Sequence, residues 1–102
     1  MGITRNIDHE RKTTTIQIDG QFDFSLHQPF REVYRDVDLA GMIFRLDLRR
    51  TTYMDSSALG MILLLKEHAD KLGGHVILVA PSPAVDKILT IANFHKLLPV
   101  ER

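Results

Sequence analysis

Met54-Asp55-Ser56-Ser57-Ala58-Leu59-Gly60 sets two hydroxyls beside a carboxylate at the point where a strand gives way to a helix. Asp and Ser are preferred N-cap residues, and the first-turn N–H groups of a helix lack intrahelical acceptors. Such a terminus tolerates added negative charge, because unpaired donors and the positive end of the helix dipole lie there. Two readings share these residues. In one the run is a plain helix cap. In the other a serine of the pair is an anchor for chemistry, phosphorylation above all.

The adjoining helix supplies more than a core face. Stepping 100° per residue, Ala58, Ile62, Leu65, Ala69 and Leu72 fall in one narrow stripe with Met61 at its border, which predicts the buried side. Leu59, Leu63 and Leu64 lie on flanks that otherwise carry Lys66, Glu67, Asp70 and Lys71. Ser56, Gly60, Leu63 and Glu67 are spaced at i, i+4, i+7 and i+11, so Ser56 shares a surface ridge with Gly60 and Leu63, and Leu59 flanks it. Exposed leucines beside a modifiable serine have the form of a switchable interface; cover by a neighbouring loop is the bland alternative.

Outward from this segment, strands and helices alternate. Thr13 to Ile18 puts Ile16 and Ile18 on one side and Thr15 and Gln17 on the other, and Asp19-Gly20 is expected to end this strand. A helix is predicted to begin between Ser25 and Pro29, with Phe30, Val33, Tyr34 and Val37 at helical spacing and Gly41 as its stop. Met42 to Leu48 alternates again, with Phe44, Leu46 and Leu48 on one face. Gly73-Gly74 closes the serine helix. His75 to Ala80, nearly all apolar, reads as a more central strand. Ser82 as N-cap and Pro83 at the first helical position open a third helix through Val85, Ile88, Leu89 and Ala92, which Asn93 closes; Phe94 to Leu98 adds a last turn. Strands joined through helices imply partly parallel pairing, and two strands with a wet side imply helices on one face of the sheet. The expectation is a single α/β domain over residues 1–102.

Composition narrows the function classes. Thirteen basic residues balance thirteen acidic ones, so the chain carries no electrostatic footprint for nucleic acid or an anionic membrane. It has no cysteine, which excludes disulfides, thiol catalysis and thiolate metal sites. Histidines 9, 27, 68, 75 and 95 lack ligand spacing, and no phosphate-binding glycine loop is present, so neither metal nor cofactor is expected. The longest apolar run, Met61 to Leu65, is too short to span a bilayer, and the first residues lack a signal-type apolar stretch. A soluble, cytoplasmic protein is the expectation. A Ser56–His68–Asp23 hydrolase is disfavoured, because the Gly-x-Ser-x-Gly elbow is missing. Arg49-Arg50 reads as a solvated turn or as an attractor for an acidic partner or added phosphate.

Leu46-Asp47-Leu48, then Tyr53 to Gly60 and the apolar helix ending at Gly73-Gly74, resemble the signature of the STAS domain, and within it the bacterial anti-sigma factor antagonists. Gly20-Gln21-Phe22-Asp23 is similar to the family's early Gly-x-Leu-Asp turn, and Pro81 to Val85 to its late strand-to-helix junction. Ala58 and Thr51 depart from the pattern, which commonly has glycine and an aliphatic residue there. The resemblance implies a mixed sheet with helices on one side. It implies that Ser56, directly after the motif aspartate, is phosphorylated by a partner kinase, and that Asp23, Asp55, Ser57, Leu59, Gly60 and Leu63 meet that partner. The chain would then be a binding protein and not an enzyme. Unphosphorylated, it would sequester an anti-sigma factor that is also a serine kinase of ATPase type, with a PP2C-type phosphatase resetting the switch. The alternative is a constitutive STAS subunit of a transporter ATPase or signalling scaffold, with Ser56 serving only as part of a cap.

Overall fold

The computed structural model describes residues 2–102. Six strands, β1 (Gly2–Asp8), β2 (Thr13–Phe22), β3 (Ile43–Asp47), β4 (Thr51–Met54), β5 (His75–Val79) and β6 (Val100–Glu101), form one mixed sheet. Three helices, α1 (His27–Glu32), α2 (Ser56–Lys71) and α3 (Pro83–Ile91), and two 3₁₀ turns at Phe24–Leu26 and Phe94–Lys96 connect them. The order is β1-β2-β3-β5-β6, with β1 antiparallel to β2 and the other pairs parallel.

Alternation decides which face is dry. Thr14, Ile16 and Ile18 of β2, Phe44 and Leu46 of β3, and Val76 and Leu78 of β5 are fully buried beneath the helices. Their neighbours Thr13, Thr15, Gln17, Arg45 and Asp47 are only half-buried on the opposite face. There Arg45 spans β5 to grip Glu101 with both terminal guanidinium nitrogens, one at 3.1 Å, tying the short β6 to the sheet. This pair raises the arginine's pKa and lowers that of the glutamate, first through the side-chain hydrogen bond.

β2 serves two partners along one edge. Thr13 to Gln17 pair with β3, and Gly20 to Phe22 pair with β4, so β3 and β4 form one interrupted line. The ladder slips between Gly20 and Gln21, and Gly20 takes a φ of +93° that suits glycine. Thr51 closes the gap: its buried hydroxyl donates to the Ile18 carbonyl at 2.9 Å. The Ser82 hydroxyl donates in turn to the Thr51 carbonyl at 2.6 Å. Ser82 stands at the N-cap of α3 without capping through its side chain, because that hydroxyl is engaged here.

Four expectations are corrected. β2 does not stop at Asp19-Gly20 but runs to Phe22, since the bulge lets the ladder continue on β4. β1 and the short β4 and β6, which residue periodicity does not separate, extend the sheet. β5 is not central: it lies between β3 and the two-residue β6, with His75 exposed. The helix expected from about Ser25 to Val37 is only α1, succeeded by turns. Past Glu32 tighter i→i−3 bonds appear, with Tyr34 N–H on the Arg31 carbonyl and Val37 N–H on the Tyr34 carbonyl, and Arg5 takes the freed Val33 carbonyl at 3.1 Å and pairs with Asp36 at 2.9 Å. Phe30, Tyr34 and Val37 are buried all the same.

At the other end of α2, Gly73 adopts φ +72° and a Cβ on Gly74 would collide with the Met42 carbonyl, so both glycines are required where the chain turns into β5. Among the described residues no helix is long and apolar enough to cross a membrane.

Thr51→Val keeps the shape of the side chain but leaves the buried Ile18 carbonyl without its donor. It should cost about 1–3 kcal/mol, read as a lowered midpoint in urea, and Thr51→Ser should recover most of the loss.

Candidate functional site

Parallel pairing places Asp23 and Asp55 at neighbouring strand ends, because Phe22 and Met54 are the last register partners of β2 and β4. The Asp55 N–H reaches the Phe22 carbonyl at 3.4 Å. Each aspartate caps the turn of chain that begins after it. Asp23 accepts from the backbone N–H of Ser25 at 3.0 Å and from its hydroxyl, holding the first 3₁₀ turn. Asp55 is the N-cap of α2, accepting from Ala58 N–H at 3.0 Å and from the Ser57 hydroxyl at 2.6 Å. These bonds, Ser57 first and Ala58 second, hold the Asp55 carboxyl below the usual carboxylate range.

The two serines are thereby made unequal. Ser57 is half-buried with its hydroxyl committed to Asp55. Ser56 is exposed, and its hydroxyl makes no hydrogen bond among the described residues. Ala58 is fully buried, so the methyl that departs from the family pattern packs inward.

Along α2 the expected core stripe is buried: Ala58, Met61, Ile62, Leu65 and Ala69, with Leu72 packed against them. Leu63 is 42 % and Leu64 50 % exposed. Leu59 differs from the helical-wheel reading, being half-buried against the core. A wheel assumes a flat support, whereas a twisted sheet and its loops wrap the flanks of a helix. Gly60 is exposed, and a Cβ there would meet nothing within 4 Å, so no packing need within the chain accounts for a mid-helix glycine.

Two exposed aromatics stand in the chain just beside the capping aspartates and were not singled out from the sequence. Tyr53, opposite Gln21 in the β2–β4 ladder, is 49 % exposed. Phe24, next to Asp23, is 67 % exposed and stacks on His27 at 5.2 Å between ring centroids. Their signal was available as large apolar residues at loop or edge positions flanking the capping aspartates.

The hydrolase grouping is not assembled. His68 lies twelve residues beyond Ser56 on the same helix, roughly 18 Å along its axis, with Nε2 2.7 Å from the Val37 carbonyl and its ring against Tyr34 and Phe44. Asp23 is occupied by Ser25. Of the arginine pair, Arg50 lies 3.7 Å from Asp19, and Arg49 N–H donates to Asp47 at 3.0 Å in a local turn.

Fold and site together define a small mixed α/β domain whose sheet delivers a capped serine pair to the start of its longest helix. The STAS domain profile matches residues 4–102, and the chain belongs to the STAS domain family. A STAS-domain containing protein of Pseudomonas aeruginosa is 45 % identical over 100 residues, 98 % of this chain and 99 % of that protein. An anti-sigma-factor antagonist (STAS) domain protein from Planctomyces limnophilus matches with a TM-score of 0.81 at 13 % identity, over 99 % of this chain and 90 % of that one. The Bacillus cell fate determinant SpoIIAA in its phosphorylated form matches with a TM-score of 0.68 at 18 % identity, over 99 % and 92 %. At these identities the structural likeness carries the fold alone.

Asp55→Ala should lower the melting temperature at neutral pH, since it removes the cap of α2. Because the folded-state pKa of Asp55 is depressed, its contribution is present above the ordinary carboxylate value of 3.8 and is lost as pH falls through the folded value. The difference in melting temperature between the variant and the parent should therefore shrink on acidification. Gly60→Ala should stabilise the protein by about 0.5–1 kcal/mol in urea unfolding, since the added methyl meets open space.

Proposed function

We propose that this chain is an anti-sigma factor antagonist switched by phosphorylation of Ser56, and that it is not itself an enzyme. The observation that carries the reading is the division of labour in the serine pair: the Ser57 hydroxyl is held by the capping Asp55, while Ser56 stands exposed with its hydroxyl free. A kinase needs an accessible hydroxyl that the fold does not require. The partner class follows from the motif resemblance to anti-sigma factor antagonists: an anti-sigma factor that is a serine kinase of ATPase type, with a PP2C-type phosphatase to reset it.

The partner surface in this reading runs from Asp23 and Asp55 across Ser56, Ser57 and Gly60 to Leu63, with Leu59 on its flank. Leu63 is the apolar anchor, worth about 1.5–3 kcal/mol if fully buried by a partner. Gly60 keeps the ridge low for close approach. A phosphate on Ser56 would lie at the helix N-terminus, where the native fold accepts an anion, and would add up to two negative charges beside Asp55. At roughly 6 Å and an effective dielectric near 20, two unit charges repel by about 2–3 kcal/mol, or about tenfold to a hundredfold in affinity for a partner with an acidic group there. The switch thus acts on binding and not on folding.

Incubation with the anti-sigma factor kinase and ATP, then tandem mass spectrometry, should place phosphate on Ser56 and none on Ser57. Ser56→Ala should hold the partner persistently, and Ser56→Asp should hold it weakly, though less weakly than phosphoserine. Raised salt should partly restore binding by the phosphorylated form. Leu63→Asp and Gly60→Ala should each lose partner capture without unfolding. Phosphate on Ser57 alone, or equal affinity of the phosphorylated and unphosphorylated forms, would overturn the reading in favour of a constitutive STAS subunit.

A further inference from the structure

A groove between α1 and α2, which meets the Ser56 ridge only at its far end in Glu67, encloses about 420 Å³, within the usual size of small-molecule sites. Its floor is apolar and aromatic. Phe30 and Met61 are buried there, and Leu64, 50 % exposed, forms one wall. The end wall is closed by His68, whose Nε2 is already engaged with the Val37 carbonyl.

The rim is unbalanced in charge. It carries Arg31, Arg35 and Lys71 against the single carboxylate of Glu67. Arg35 is paired with Glu32 at 3.0 Å, and Lys71 lies 4.0 Å from Glu67. Arg31 has no carboxylate partner among the described residues, although it is the cation whose charge acts on Tyr34. Tyr34 is 6 % exposed and lines the same groove, yet its hydroxyl makes no hydrogen bond among the described residues. Burial raises the phenol's pKa, the nearby Arg31 opposing this and Glu67 adding to it, so the hydroxyl remains a donor at neutral pH. An unpaired guanidinium and an unpaired phenol hydroxyl therefore converge over an apolar floor, three residues apart on one turn closed by the Tyr34 N–H to Arg31 carbonyl bond.

We propose that this groove binds a small amphipathic monoanion, a carboxylate on a short aliphatic or aromatic body. Arg31 takes the carboxylate through its fork of N–H donors, and the Tyr34 hydroxyl donates to the second oxygen. The body lies along Met61 and Leu64. Glu67 on the rim disfavours a dianion, which sets a carboxylate above a phosphate. None of Ser56, Gly60 and Leu63 lines the groove, and its test needs no partner protein.

Octanoate, octylamine and octanol titrated separately into the isotopically labelled protein would distinguish the chemistry by amide chemical shifts. Octanoate should give saturable shifts confined to residues 27–35 and 61–71, with octanol weaker and octylamine inert. Arg31→Ala should weaken octanoate binding about tenfold or more, and Tyr34→Phe several-fold, with the remaining spectrum unchanged. No saturable shift with octanoate, octylamine binding as well as octanoate, or undiminished binding by Arg31→Ala would each overturn the proposal.

Discussion

The break between β3 and β4 is the constraint on which this structure depends. A single long strand, β2, pairs with both along one edge, and the chain must step out of the ladder and back in between Asp47 and Thr51. That step would orphan the Ile18 carbonyl inside the core. The Thr51 hydroxyl satisfies it, and Ser82 then binds the Thr51 carbonyl, so the strand interruption and the entry to α3 are joined through one residue. Buried backbone groups left without partners cost more than most single contacts contribute, so the Thr51 hydroxyl is part of what holds the step together.

The consequence of this step is position. By resuming the ladder on β4, it brings Met54 level with Phe22 and releases Asp55 and Asp23 side by side at the same edge. Two aspartates that cap two different turns, thirty-two residues apart in the chain, become neighbours. Asp55 then sorts the serines, engaging Ser57 and leaving Ser56 to solvent. The ridge that runs on through Gly60 to Leu63 carries the exposed Ser56 hydroxyl and the exposed Leu63 on one helix.

Much of this was legible from periodicity. The stripe Ala58, Ile62, Leu65 and Ala69 is buried as the 3.6-residue repeat predicts, and the alternation in β2 and β3 marks the helix-covered face. Leu63 and Leu64 are exposed as their wheel positions predict. Readings failed where a distant residue intervened. The α1 helix gives way to turns after Glu32, and Arg5, twenty-eight residues away, takes the freed Val33 carbonyl. β2 runs through Asp19-Gly20, a pair that local turn chemistry reads as a stop, because β4 is there to receive it. Leu59 packs half-buried against the core, a contact its wheel position does not predict.

By itself, then, the amino-acid sequence determined the class of fold, the dry face of each principal element, and the helix start at Asp55-Ser56, since these are set by spacing and capping within a few residues. Tertiary structure alone decided that Asp23 lies beside Asp55, that Thr51 mends the ladder, and that Arg31 and Tyr34 face a groove with α2. Each of those depends on the relative placement of segments distant in the chain, where sheet twist, strand register and a single long side chain determine which groups meet.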